Sequence, residues 1–178
     1  LNNHGFSLLE LLVVMAIIVI VSTITAVGLN VLAEGNAKKA NKTMYSKISE
    51  LRTTTMSKSG EWYMVISCQD NTYTLETHHV SNGEDNIKDT SKFSASRISL
   101  NYYNGDSSTG YDLRNNSLKI QFNKNDGSCK SVKIIDTEEF ITDNLDAPQF
   151  GKIVASVSRN NTYESKLWYK TGRVTTQN

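Results

Sequence analysis

Gly5-Phe6-Ser7-Leu8-Leu9-Glu10-Leu11-Leu12-Val13-Val14-Met15-Ala16-Ile17-Ile18-Val19-Ile20-Val21 is the stretch around which the rest of the chain has to be arranged. It is apolar except for one ionisable side chain, Glu10, and it continues in milder form through Ser22, Thr23, Thr25 and Gly28 to Leu32-Ala33. As one helix it is long enough to cross a hydrocarbon core that needs ~20 residues. An ionised carboxylate at the centre of such a span costs roughly 2.5–3.5 kcal/mol. One turn inside the start, the positive end of the helix dipole offsets ~0.3–1 kcal/mol of that. Position alone therefore leaves two readings of Glu10: a functional carboxylate awaiting a cation, or a solvated residue tolerated at a helix start.

The order Gly5-Phe6-Ser7-Leu8-Leu9-Glu10, followed by Leu-Leu-Val-Val, resembles the cleavage and methylation signal of type IV pilins and pseudopilins. The resemblance implies that a membrane aspartic peptidase cuts between Gly5 and Phe6. It also implies that the new Phe6 amine is N-methylated, and that Glu10 pairs with a neighbouring subunit's N-terminal amine as the filament assembles. A buried carboxylate is tolerable when a cation meets it and costly when none does. On this reading Glu10 makes the correct axial register the favourable one, and its role is recognition rather than catalysis. The partners implied are other pilin or pseudopilin subunits, the prepilin peptidase and methylase, an inner-membrane assembly platform, and the lipid bilayer before assembly. The localisation implied is a single-pass membrane protein that then enters an extracellular or cell-surface filament.

Leu1-Asn2-Asn3-His4 departs from the family, whose leaders carry Lys or Arg before the glycine. Either residues precede Leu1 or the leader is weak. Lys38, Lys39 and Lys42 follow the span, and the positive-inside rule taken alone favours the reverse orientation. A rival reading is an ordinary secretory signal, with Val31-Leu32-Ala33 as a small-residue cleavage site before Glu34. Against it stand the uncharged start, the length of the apolar run and the presence of Glu10. The same three lysines suit anionic headgroups, a neighbour's acids or plain solvent.

Past Glu34 the helical period continues, with Ala37, Ala40, Met44, Ile48 and Leu51 falling on one face. The spacing predicts a helix from about Phe6 to Thr55, ~75 Å long at 1.5 Å per residue. Its second half is expected to lay that stripe on the following domain. The family's usual proline is missing from the span, where Val27-Gly28 stands instead; the single proline is Pro148. Gly28 is a softer point, at ~1 kcal/mol relative to alanine.

After Ser57-Lys58-Ser59-Gly60 the period shifts toward two. Strands are expected at Glu61–Ser67, Thr72–Thr77, Arg97–Tyr103, Leu118–Asn123, Ser131–Ile135, Lys152–Ser158 and Glu164–Tyr169. His79–Lys92 and Asn104–Ser117 read as polar surface loops, and Thr137–Asn144 as a short helical turn. Asn125-Asp126-Gly127 fits a tight hairpin with Gly127 at positive φ. Leu118–Phe122, this turn, Val132–Ile135 and Leu167–Arg173 are together similar to the C-terminal β pattern of minor pseudopilins of the GspH and FimT type. The expected class is α+β: a long N-terminal helix, its first half transmembrane, packed on a mainly antiparallel β-sheet globular domain. The divisions are 1–5 leader, 6–33 transmembrane and assembly segment, 34–57 amphipathic helix and 58–178 β-rich domain.

The 178 residues leave room for one globular domain beyond such a helix, and a formal net charge of +1 shows no electrostatic footprint for nucleic acid. DNA or a surface ligand is neither supported nor excluded. Cys68 and Cys129 either pair, closing a loop of ~60 residues worth about 4 kcal/mol in the chain-entropy model, or stay two half-buried thiols. His78-His79 lie on opposite faces if extended, so at most one serves a given metal. Glu84, Asp85 and Asp89 with Asn82 and Asn86 lack EF-hand order. Ser46-Lys47 and Ser128-Cys129 make no catalytic triad and there is no phosphate-binding glycine loop. No cofactor, metal or catalytic residue is assigned, and the chain reads as a non-enzyme. In Trp62-Tyr63, Tyr102-Tyr103 and Trp168-Tyr169 one ring of each pair belongs in the core; the other faces outward, where stacking on bases or sugars, contact with neighbours and half-cover by the helix are the alternatives.

Overall fold

The computed structural model of the chain describes residues 7–137, 139–140, 149–158 and 161–177, and the side chains of 23–30, 139–140 and 158 are outside the described ones. The helix α1 runs from Leu8 to Ser57, close to the span expected, with Ser7 as its N-cap and Lys58 in extended conformation at its end. Among the described residues it leads into eleven strands: β1 Glu61–Gln69, β2 Thr72–Ser81, β3 Glu84–Ser94, β4 Ser99–Asn104, β5 Tyr111–Asp112, β6 Leu118–Phe122, β7 Cys129–Ile134, β8 Glu139–Phe140, β9 Phe150–Ser158, β10 Asn161–Trp168 and β11 Val174–Gln177. They form two sheets, ordered β3-β2-β1-β6-β7-β8 and β11-β10-β9-β4-β5, and every pairing is antiparallel. A long helix on mainly antiparallel sheets is the α+β architecture expected.

The stripe on α1 does what its spacing requires. Ala37, Ala40, Met44, Ile48 and Leu51 are each at most 1% exposed. Ala37, Met44, Ile48 and Leu51 join Trp62, Met64 and Ile66 of β1, Ile120 of β6, and Ile153 and Leu167 of the second sheet in one continuous core. Among the described side chains of α1, Ala33 is the first buried one, and every one from Leu8 to Ser22 is exposed. Polar groups secure the seam: Ser165 Oγ donates to Asn41 Oδ1 at 2.6 Å, Tyr163 Oη donates to Glu34 at 3.3 Å, and Arg52 Nε donates to the Gly127 carbonyl at 3.0 Å. Gly127 has φ +67, as its turn requires, and a Cβ there would press on Met56 and Arg52.

Three expectations are corrected. His79–Lys92 is not a loop: β2 continues to Ser81, turns through Asn82 and Gly83 at φ 55 and 83, and returns as β3. Two residues with φ > 0 are the signature of a two-residue hairpin turn. β3 is a mostly exposed edge strand, with Asp89, Ser91 and Phe93 half-buried, and its charged composition suits an edge that must not pair further. Within Asn104–Ser117, Tyr111–Asp112 pairs with β4 and Leu113 is fully buried. Within Thr137–Asn144, Glu139–Phe140 is a bridge to β7 rather than helix, and residues 138 and 141–144 lie outside the described ones.

The cysteine question also closes against a bridge. Cys68 and Cys129 are free thiols. β6 lies between their strands; Cys129 is opposite Phe122, and Tyr63 opposite Gln121, so Cys129 is level with Trp62 rather than Cys68. Six residues along a strand are ~20 Å, against a disulfide Cα separation below about 7 Å.

Candidate functional site

The described part of the N-terminal motif begins at Ser7, so Gly5 and Phe6, the expected cleavage and methylation positions, lie outside the described residues. Ser7 is extended (φ −73, ψ 149), and its Oγ accepts the Glu10 backbone N–H at 3.2 Å. Glu10 Oε2 in turn accepts the Ser7 N–H at 3.0 Å. The two close a reciprocal capping box, satisfying two donors that a helix start otherwise leaves to solvent. Oε1 of Glu10 has no hydrogen bond among the described residues. The carboxylate is thus exposed, oriented, half-occupied by its own chain, and placed at the positive end of the helix. Sequence reasoning singled out Glu10 but missed Ser7, although Ser-x-x-Glu before an apolar run is the signal that identifies such a box.

Beyond Glu10 the helix is apolar on all sides. Leu8 is 82% exposed and Val13, the most covered of the large apolar residues up to Val21, is still 47% exposed. A helix hydrophobic all round belongs in a protein core or in lipid. Among the described residues no helix is long and apolar enough to cross a membrane. The described run Leu8–Val21 is itself shorter than the ~20 residues a span takes, and its continuation passes through 23–30. Lys38, Lys39 and Lys42 are exposed on α1. Lys47 is instead ion-paired with Glu50 at 2.9 Å and with Asp89 of β3 at 3.1 Å.

On the β domain, the two histidines take opposite faces of β2. His79 stacks on Trp62 at 4.1 Å toward the helix side, and its ring nitrogen meets the Ser59 carbonyl at 3.0 Å. His78 stacks on Tyr63 on the outer face at 4.6 Å. Asp85 of β3 binds both the Tyr63 hydroxyl and His78 Nδ1, the latter at 3.1 Å, and Lys119 Nζ lies 3.7 Å from the Tyr63 ring centroid. The Tyr63 hydroxyl, donating to Asp85, holds that carboxyl below its ordinary range. Tyr63 itself is pushed up to about 12, first by burial and then by Asp85. Beside it, Gln121 and Lys130 both bind Glu61, and the Gln121 amide is the larger cause of that carboxyl's lowered pKa. These are hairpin-bracing contacts among strands, and no group of His, Cys, Asp and Glu suited to a metal occurs among the described residues. One ring of each aromatic pair is buried, Trp62, Tyr102 and Tyr169, with Tyr63, Tyr103 and Trp168 half-buried on the outer faces.

Residues 1–26 match the prokaryotic N-terminal methylation motif, the type IV prepilin-like signal. The chain matches no curated protein and no solved structure. The motif supports a type IV pilin-like substrate of prepilin peptidase, and it sits on a helix that continues without a break into a β-rich domain.

Proposed function

We propose that the chain is a structural subunit of a type IV pilus or related filament, working as a minor pilin. The prepilin peptidase cuts between Gly5 and Phe6, Phe6 is N-methylated, and Glu10 receives the Phe6 amine of a neighbour. The cut leaves the capping box intact, because the Ser7 N–H lies one residue beyond the new terminus. Residues 6–33 hold the subunit in the inner-membrane bilayer until assembly and afterwards pack in the filament; 34–57 seat the helix on the domain; 58–178 form the exposed face.

The observation that carries this reading is the change of character along one helix. The prepilin-like motif opens a segment exposing apolar side chains all round, and the same helix passes at Ala33 into a buried stripe on the β domain. One element with two kinds of burial serves an assembly that supplies the missing cover from other subunits.

The test is the N-terminal mass of the mature protein purified from its own host. A start at N-methylated Phe6 is expected. A start at Glu34 overturns the reading in favour of a secreted or membrane-anchored binding domain with an ordinary signal peptide. Recovery in secretion pseudofilaments or competence filaments rather than sheared pili would reassign the subunit to a pseudopilin.

A further inference from the structure

The face of α1 turned away from the β domain changes chemistry within two turns. Helical spacing puts the buried Ala33, Ala37, Ala40 and Met44 on one side of α1, and the exposed Val31, Leu32, Lys38, Lys39 and Lys42 on the other. Val31 and Leu32 end the exposed apolar stretch, and the three lysines follow it on the same face. Along the axis Lys38 stands ~9 Å and Lys42 ~15 Å beyond Leu32, at 1.5 Å per residue. Side chains on a helix tilt toward its N-terminus. The lysine stems therefore lean back over Val31 and Leu32, which brings the ammonium groups nearer to the end of the apolar stretch.

These three cations have no counter-charge of their own. Neighbours on a helix surface stand three and four residues apart. At those offsets from Lys38, Lys39 and Lys42 the one acid is Glu34, four residues before Lys38. Glu34 is taken by the domain instead, where it accepts the Tyr163 hydroxyl at 3.3 Å. Among the described residues no carboxylate ion-pairs with any of the three lysines. Lys42 is moreover four residues from Lys38 and three from Lys39, placements at which like charges oppose a helix. β10, packed on α1 along this stretch, turns Tyr163 and Ser165 toward it, so that Glu164 between them falls on the other face of its sheet. Lys47, the next lysine along α1, is by contrast paired with both Glu50 and Asp89.

We propose that Lys38, Lys39 and Lys42 form a cationic collar that binds the headgroups of anionic phospholipids while the subunit stands in the bilayer before assembly. The inference rests on the filament reading, in which residues 6–33 occupy that bilayer, and adds to it the class of lipid. A hydrocarbon core of ~30 Å lies inside a bilayer of ~40–45 Å, so each headgroup layer is ~5–8 Å deep. With Leu32 at the edge of the hydrocarbon, the leaning Lys38 and Lys39 reach the headgroups. Lys42 follows one turn later, within about a Debye length of ~8 Å. A negative membrane surface attracts cations so placed, and it supplies the counter-charge that the chain withholds. Lipid is favoured over the acids of a second copy because the apolar and cationic parts of this face are continuous, and one bilayer meets both.

The experiment reconstitutes the full chain in phosphatidylcholine vesicles and equilibrates them, through a trace of detergent, with density-tagged vesicles of equal parts phosphatidylcholine and phosphatidylglycerol. Flotation then reads how the chain distributes. Preference for the anionic vesicles is expected, about fivefold for each lysine and up to about a hundredfold in all, falling toward unity as salt is raised. Lys38→Gln, Lys39→Gln and Lys42→Gln together should remove the preference, and Lys38→Arg, Lys39→Arg and Lys42→Arg together should keep it, with circular dichroism showing both folded. Lys88→Gln, Lys124→Gln and Lys170→Gln together, at exposed positions elsewhere on the β domain, change the net charge equally and should leave it intact. Equal distribution of the unsubstituted chain, a preference that survives the first glutamine set, or an equal loss in the second would overturn the proposal and leave the filament reading standing. A chain that neither kind of vesicle retains after carbonate extraction would overturn both. Carbodiimide crosslinks from these lysines to carboxylates of a second copy, undiminished in the anionic vesicles, would overturn the proposal in favour of a contact between subunits.

Discussion

Ser7 and Glu10 hold each other: Oγ of the serine accepts the glutamate N–H at 3.2 Å and the glutamate carboxylate accepts the serine N–H at 3.0 Å. Capping and charge are therefore carried by the same side chain, and substitutions separate them. Glutamine preserves a capping box but not a charge. If Glu10 serves assembly by pairing with an amine, Glu10→Gln should abolish filament incorporation as fully as Glu10→Ala while N-terminal processing continues. Ser7→Ala should cost about 1 kcal/mol of helix-start stability and reduce incorporation far less. Immunoblots of sheared filaments against whole-cell protein give the comparison, and rescue by glutamine would assign Glu10 to the helix alone.

Asn41 and Ser165 join α1 to β10 in the core, at 3% and 2% exposure. Removing one partner leaves the other buried and unsatisfied, at about 1–3 kcal/mol. Asn41→Ala and Ser165→Ala should each lower the denaturation midpoint, and the double variant should lose less than their sum. Urea titration followed by far-UV circular dichroism measures the cycle; strict additivity would show that the two do not act as a pair.

How much of this was legible depends on what each residue faces. The Ala37–Leu51 stripe was readable because one face of α1 is buried and the other solvated, which imposes a helical period. The Asn125-Asp126-Gly127 hairpin was readable because Gly127 needs φ > 0. β3 was not, because its half-buried face carries Asp89, Ser91 and Phe93, which give no apolar alternation to betray an edge strand; Asn82-Gly83 was the usable sign. Cys68 and Cys129 could not be separated in advance, since strand order β1-β6-β7 comes from tertiary pairing rather than local pattern. At the candidate site, Glu10 stood out through the cost of a carboxylate in an apolar run. Its intrachain partner was hidden behind a motif in which Ser7 was only a spacer.

Gly151 is held by packing. A Cβ there would overlap the hydroxyl oxygens of Tyr102 and Tyr169, which are bonded to each other in the core, with Tyr169 donating on to Asn104 at 2.9 Å. Gly151→Ala should cost about 1–3 kcal/mol by overpacking. That lowers the melting temperature by roughly 2–4 °C per kcal/mol in a chain of this size. Adding Tyr102→Phe should recover part of the loss in a thermal melt. No change on Gly151→Ala would mean that the tyrosine pair moves aside freely.

Cys129 gives the chain a dependence on alkaline pH. Burial pushes its thiol from 9.0 up to about 12. The folded state thus keeps the proton that the unfolded state releases, and this contribution is complete below pH 9 and lost progressively as pH rises toward 12. Stability should fall across that window, and Cys129→Ala, whatever its constant cost in packing, should flatten the slope. Tyr63, Tyr73, Tyr102, Tyr163 and Tyr169 also have raised pKa values and keep a slope in both proteins; Tyr102 and Tyr169 are raised in part by the Cys129 charge, so their share falls with it and adds to the flattening. The same burial predicts that iodoacetamide at pH 8 labels Cys68, which is partly exposed, well before Cys129, and labels both in urea. Peptide mapping reads the outcome, and equal native labelling would show that the β7 edge of the core opens on the labelling timescale.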